Sequence, residues 1–320
     1  MDNVISAQSL RDEDWNTILE RIDGGNCTPF IGPGARINGP DVYDVARHWA
    51  SEFEYPPEEY LDLPRVGRHV SVKRDVIRPK ELILRDFGPN MRAPDFSSPT
   101  TVDDPHRILA ELPFPIYITT NYDDLMWRAL TSRRDKDARK ELCRWNDFIS
   151  TPQPSAFDPG AASASPAQPI VFHLYGHTES LESLVVTDDD YLEFLISVSR
   201  DQSARSNRMI PSRIERAMNG ASLIFLGYRI DDWDFRVLFH LLLSYRQSSS
   251  RMHVAVQIAP DKSQAKQEQQ EEVETKLEAY QAHLGKYFQS KNLKIHVSLK
   301  TCQDFVKDLR DKWRGSTYVK

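Results

Sequence analysis

Short apolar runs, rich in β-branched and aromatic residues, recur along this chain at intervals wide enough to hold a helix between them. They lie at Cys27 to Ile31, Ile116 to Thr120, Ile170 to Tyr175, Ala221 to Gly227, Met252 to Ile258 and Leu293 to Ser298. Where such a run lacks polar alternation, as at Cys27 to Ile31 and Ala221 to Gly227, it suits a strand buried on both faces. Between them apolar residues return at helical spacing, as in Trp15, Ile18, Leu19 and Ile22 before Gly24-Gly25, or Val42, Val45, Ala46 and Trp49 after the first run. Strands alternating with helices predict an α/β architecture with a mostly parallel sheet. Over residues 55–103 prolines break the periodicity into short helices and loops, as in an insertion between core elements. Residues 151–169, rich in Pro, Ala and Ser, read as an exposed loop.

At 320 residues the chain can bury a full core without staples. Its formal charge of -6 argues against a general nucleic-acid coat, so no direct nucleic-acid binding is expected. Cys27, Cys143 and Cys302 are too far apart in sequence to form paired metal hooks, so no metal is expected and reduced thiols fit a cytoplasmic protein. The N-terminal residues lack a basic and apolar leader, and no stretch reaches the ~20 apolar residues that cross a bilayer, so a soluble chain is expected. The stretch 65–86 carries a local excess of basic residues, which reads as a solvated helix face or as a surface that steers an anionic ligand or docks a partner.

In an open parallel sheet, ligands bind beyond the carboxyl ends of the strands, which directs attention to four turns. In Gly32-Pro33-Gly34-Ala35-Arg36, bare amides at a helix start can approach a pyrophosphate; the alternative is a turn that needs glycine only for its backbone angles. Ile37 breaks the G-x-G-x-x-G spacing of dinucleotide dehydrogenases. In Thr119-Thr120-Asn121-Tyr122-Asp123, Asn121 can hold a ribose hydroxyl or a water while Asp123 fixes the loop or a hydroxyl, with helix capping as the plain alternative. Strand alternation predicts His173, Tyr175 and His177 on one face, and a histidine with a pKa of about 6.5 beside Asn121 suits a general base. In Gly227-Tyr228-Arg229-Ile230-Asp231-Asp232, Gly227 permits close backbone approach, and Asp231 or Asp232 can take a ribose hydroxyl or cap a helix.

Taken in order, FIGPGAR, PIYITTNYDDLMWRAL, VFHLYGHTESLESLVVTDDDYLEFL and SLIFLGYRIDDWDFRVLFHLL resemble the sirtuin-like domain of bacterial NAD-consuming, anti-phage defence proteins. The resemblance implies a Rossmann-like core over residues 1–54 and 104–260, a small helical subdomain over 55–103, and a helix-strand-helix extension over 261–320. It implies NAD as substrate, bound between sheet and subdomain, and cleavage of the nicotinamide-ribose bond. By position in that pattern Asn121 is catalytic, and Gly32, Gly34, Ala35, Thr120, Asp123, Tyr175, Gly227 and Asp231 are expected around the dinucleotide. Where the family carries Leu-His-Gly this chain has Leu174-Tyr175-Gly176, so the base falls to His177, with His173 second.

The implied activity is that of an NAD+ hydrolase depleting NAD+ in abortive infection. The alternatives are a non-catalytic NAD or ADP-ribose module, and a protein deacylase, which the missing four-cysteine zinc module disfavours. Because such a hydrolase must stay off until needed, a homo-oligomer or a separate partner is expected, by resemblance a hexameric DNA-translocase-type ATPase.

Overall fold

The computed structural model describes residues 10–37, 41–56, 61–88, 94–150, 154–201, 209–229, 233–245, 252–257, 294–298 and 300–318. Seven parallel strands form one sheet: β1 (Cys27–Ile31), β2 (Ile116–Thr119), β3 (Arg139–Leu142), β4 (Ile170–His173), β5 (Ser222–Tyr228), β6 (Met252–Gln257) and β7 (Lys294–Ser298), in the order β3-β4-β2-β1-β5-β6-β7. The fold is α/β and Rossmann-like. After β1 the chain moves to one side of the sheet for β2 and β4, then crosses to the other side for β5. The carboxyl ends of β1, β2 and β5 therefore flank a topological switch point.

The register explains why these runs are apolar throughout. Phe225, Phe30, Ile118 and Phe172 lie side by side across four strands and face one half of the core. Helices α7 (Asp188–Asp201), α8 (Ser212–Asn219) and α9 (Trp233–Tyr245) cover that face with Tyr191, Phe194, Ile214, Met218, Phe235 and Leu238. The alternate residues, Ile31, Tyr117, Val171, Ile224 and Leu226, point the other way. They meet α1 (Asp12–Asp23), α5 (Pro105–Glu111), α6 (Leu125–Thr131) and α10 (Cys302–Arg314) through Trp15, Ile18, Leu109, Met126 and Phe305. Both faces of β1, β2, β4 and β5 are buried, so polar alternation has no place in those four strands.

The proline-broken stretch folds as α3 (Leu63–Lys73) and α4 (Arg78–Phe87), which follow α2 (Val42–Glu52). Asp62 caps α3 by accepting the Arg65 amide at 2.9 Å, and Pro64 sits in its first turn, where the missing N–H costs nothing. Val66 and Val70 of α3 and Leu82 and Ile83 of α4 join Val45 and Trp49 of α2 and Leu184 and Val186 in a third apolar cluster. The indole of Trp49 donates to Asp86 at 2.7 Å.

Strand β3 departs from the sequence expectation, since Arg139-Lys140-Glu141-Leu142 carries no apolar run. It is an edge strand, where charge is tolerated, and its buried Glu141 accepts hydrogen bonds from the Ser155 hydroxyl and the Ala156 amide. The helix expected over 261–289 lies outside the described residues. Among the described residues no helix is long and apolar enough to cross a membrane.

Candidate functional site

Three turns interlock at the switch point. The Gly32 amide donates to the Leu226 carbonyl at 2.8 Å, and the Thr120 amide to the Ile31 carbonyl at 3.0 Å. A side chain at Gly32 would meet the Tyr228 ring at 2.7 Å, and the Tyr228 hydroxyl bonds the Thr120 hydroxyl at 3.0 Å. Gly227 lies at φ 72°, with space for its backbone only, against Gly34 and Ala35.

The glycine turn does not open into a long helix. A single 3-10 turn, Pro33–Ala35, follows β1, and α2 begins only at Val42. Within the turn the amides of Gly32, Ala35 and Arg36 are bonded to the carbonyls of Leu226, Gly32 and Pro33. Ala35 is fully buried and belongs to the core. Three amides of the turn are thus already engaged; the Gly34 amide is not among them, and Gly34 lines the cavity.

In front of these turns lies a cavity of about 230 Å³. One wall is the sheet end, with Gly34, Arg36, Thr120, Asn121, Asp123, Gly227 and Tyr228; the opposite wall comes from Tyr43 of α2, Leu63 and Pro64 of α3 and Phe87 of α4. Asn121 is held through its backbone: its amide donates to the Thr119 hydroxyl at 3.0 Å, and its carbonyl faces His173 Nδ1 at 3.3 Å. Its side-chain Oδ1 is buried and has no hydrogen-bond partner. A buried acceptor without a donor is costly unless a ligand or water supplies one. Asp123 Oδ1 accepts the Leu125 amide at 3.0 Å, capping α6, while Oδ2 stands 3.6 Å from Arg36. Capping and cavity lining thus coexist in one carboxylate.

The histidines sit elsewhere than expected. Strand β4 ends at His173, and Gly176 at φ 88° turns the chain, so the alternation that would align residues 173, 175 and 177 stops. Tyr175 turns into the core, edge-on to the rings of Tyr191 and Phe194 at 5.1 and 5.3 Å, and does not line the cavity. His173 and His177 do come together, with ring centroids 4.7 Å apart, but behind the Asn121 backbone rather than on the cavity wall. The Asn121 carbonyl can only accept, which puts the His173 proton on Nδ1; the Glu179 amide donates to His177 Nδ1 at 3.1 Å, which puts that proton on Nε2.

Burial, with the charges of Lys140 and Arg128 nearby, lowers the His177 pKa to about 3. Burial and the neighbouring His177 drive that of His173 well below its ordinary value. Both rings are neutral at physiological pH, so the 3.7 Å approach of His177 to Glu179 is not an ion pair. From this follows a stability prediction. Above about pH 6.5 neither folded nor unfolded chain protonates these rings; below it the unfolded chain takes protons that folded His177 refuses until about pH 3. Stability should therefore fall as pH drops through that window, and chemical denaturation of His177→Gln should show a shallower fall than the parent.

Asp124, His177 and Glu179 bring ligand atoms within 4.8 Å of one another. Arg128 already holds Asp124 at 2.7 Å and Lys140 holds Glu179 at 2.6 Å, so the cluster is balanced in charge without a cation. The three cysteines are buried thiols, and burial pushes Cys302 up to about 12, which makes it a poor nucleophile.

The profile of the SIR2-like domain matches residues 115–284, which take in the Asn121 turn, the histidine pair and the Gly227 turn. This chain belongs to the SIR2-like family. Two relatives of the SIR2-like chain are named NAD(+) hydrolase ThsA. That of Cytobacillus dafuensis is 23% identical over 73% of this chain and 42% of its own length, and that of Enterococcus faecium 24% identical over 55% and 33%. The chain thus spans less than half the length of these relatives. A solved Sir2 enzyme chain aligns over 98% of both chains at 11% identity with a TM-score of 0.37, too loose a likeness to bear on the site.

Of the residues expected around a dinucleotide, Gly34, Thr120, Asn121, Asp123 and Gly227 line the cavity of this SIR2-like fold; Gly32 and Ala35 pack beneath it, and Asp231 lies outside the described residues. Arg36, Tyr43, Phe87 and Tyr228 were not anticipated as lining residues. For Arg36 the signal was available, a basic residue directly after a glycine turn at a strand end; for Phe87 it was not, because it reaches the site from a helix about 50 residues further along the chain.

Proposed function

We propose that the cavity binds NAD and that the protein hydrolyses its nicotinamide-ribose bond, yielding nicotinamide, ADP-ribose and a proton from NAD+ and water. What carries the reading is Asn121: a buried Oδ1 without a donor, on the cavity wall, held by a backbone bonded at both its amide and its carbonyl. The SIR2-like family and the hydrolase names of its relatives support it.

Nicotinamide leaves a cationic pyridinium as a neutral molecule, through an oxocarbenium-like state, so no acid is needed. The protein has to hold the ribose, place a water and favour developing positive charge. Asn121 Oδ1 suits the first two as an acceptor for a ribose hydroxyl or the water. Asp41, Asp62 and Asp123 line the same cavity and favour the cationic state. His173 and His177 act in this reading as supports of the Asn121 turn. Incubation of the purified chain with NAD should release nicotinamide; no release, either from the chain alone or with its genomic neighbour present, would exclude the activity.

A second reading has a specific observation behind it, since among the described residues no histidine lines the cavity, and Tyr175, which stands in the family's Leu-His-Gly position, is in the core. On that reading the site binds NAD or ADP-ribose without cleaving it, and calorimetry would show binding where chromatography shows no nicotinamide. Depletion of NAD in anti-phage defence, homo-oligomerisation and control by a hexameric DNA-translocase-type ATPase belong to the hydrolase reading. Mass photometry of the chain with and without that partner tests the assembly, and a constitutively active monomer would count against it.

A further inference from the structure

Arg36 is a poorly satisfied charge on the cavity wall. Its side chain is 9% exposed, and its Nε and Nη1 are buried without a hydrogen-bond partner. The carboxylate facing it, Asp123, stands 3.6 Å from Nη1, beyond hydrogen-bond distance, and already accepts the Leu125 amide through its other oxygen. On its other side the guanidinium lies 6.0 Å from the centre of the Phe87 ring, at the outer limit of a cation–π contact. A guanidinium presents five donors in a fixed fork, and taking it out of water without acceptors is strongly unfavourable. Such a group is explained if its acceptor arrives with a ligand.

The surroundings specify that acceptor. The amides of Gly32, Ala35 and Arg36 itself are already bonded, to Leu226, Gly32 and Pro33, which leaves Gly34 as the cavity-lining residue of the turn whose amide is not among them. Pro33, Gly34 and Ile37 line the cavity with Arg36, as do the carboxylates Asp41, Asp62 and Asp123, of which Asp123 faces the guanidinium. The fork geometry favours planar or tetrahedral oxyanions over single acceptors. We propose that Arg36 is the phosphate-recognising residue of this cavity and that it makes the site selective for phosphorylated nucleotides over the corresponding nucleosides. This rests on the nucleotide-binding reading above but does not require cleavage.

The test is calorimetric titration of the full chain, Arg36→Met and Arg36→Lys, with ADP-ribose and with nicotinamide riboside, which has no phosphate. The parent should bind ADP-ribose far more tightly than the riboside. Arg36→Met should weaken ADP-ribose binding by about 10- to 100-fold, the loss of a charge-assisted bond, and leave the riboside unchanged. Arg36→Lys should recover part of that loss, because the point charge remains without the fork. The ligand-free melting temperature separates recognition from architecture: Arg36→Met should match or exceed the parent, because an unsatisfied buried charge has gone. ADP-ribose affinity within threefold of the parent in Arg36→Met, a clear drop in its ligand-free melting temperature, or a parent that does not prefer ADP-ribose would each overturn the proposal. Tight, Arg36-dependent binding without nicotinamide release would defeat the hydrolase reading and leave this one standing; release with an unchanged KM in Arg36→Met would do the reverse.

Discussion

Asn121→Ala is expected to lower nicotinamide release from NAD by about a hundredfold or more, while the protein stays folded. The size follows from removing a preorganised polar group beside the reacting centre, which in other enzymes accounts for about 10²- to 10³-fold in rate. The fold should survive because the turn does not depend on the side chain. The Asn121 amide is held by the Thr119 hydroxyl at 3.0 Å, and that hydroxyl donates to the Ile31 carbonyl at 3.1 Å. The carbonyl faces His173 at 3.3 Å. The Oδ1 that alanine removes has no partner in the ligand-free chain, so its loss removes a penalty rather than a bond. The measurement is a pair: initial rates of nicotinamide release, and thermal melting of the same preparation. Loss of turnover at an unchanged melting temperature assigns Asn121 to the reaction. Retained turnover removes it from the reaction, and a collapse in melting temperature makes it architectural.

How much of this was legible depended on which physical rule governed each segment. Of the six runs, those at β1, β2, β4 and β5 lie inside the sheet and are buried on both faces, which admits few polar residues; the remaining two coincide with β6 and β7. β3 escaped because it lies at the edge, where Arg139 and Lys140 are only partly covered and Glu141 is stabilised by groups from residues 155 and 156 that no local pattern predicts. The histidine pair was found for a reason that fails: alternation ends with β4 at His173, and a left-handed turn at Gly176, not a pleat, brings His177 back to its neighbour. That same turn sends Tyr175 into the core. The lining from α2 and α4 was invisible because Tyr43 and Phe87 come from segments more than 40 residues apart, joined by the third apolar cluster and by the Trp49–Asp86 hydrogen bond. Arg36 was read as part of a turn and not as a charge, since burial without an acceptor is a property of the folded state alone.

Gly227→Ala discriminates a role in ligand approach from a role in packing. Gly227 sits at φ 72°, and a Cβ there would stand 2.2 Å from the Ala35 nitrogen and 2.5 Å from the Gly34 carbonyl carbon. Those atoms cannot easily retreat: Ala35 is fully buried, its amide is bonded to Gly32, and the Gly32 amide is bonded to Leu226, next to Gly227 itself. The left-handed conformation alone disfavours alanine by about 1–2 kcal/mol, and overpacking against backbone adds about 1–3 kcal/mol. The sum, about 2–5 kcal/mol, should lower the ligand-free melting temperature by on the order of 10 °C in a domain of this size. Gly25→Ala supplies the control, because Gly25 has a similar φ of 65° but nothing within 4 Å of the added carbon. It should show only the conformational part of the loss. If Gly227 served ligand approach alone, the two variants would melt alike without ligand and differ only in binding. A larger loss in Gly227→Ala, present before any nucleotide is added, means that the β1 and β5 turns are clamped backbone to backbone. The cavity shape then depends on that clamp, and the residues that recognise the ligand must do so with side chains.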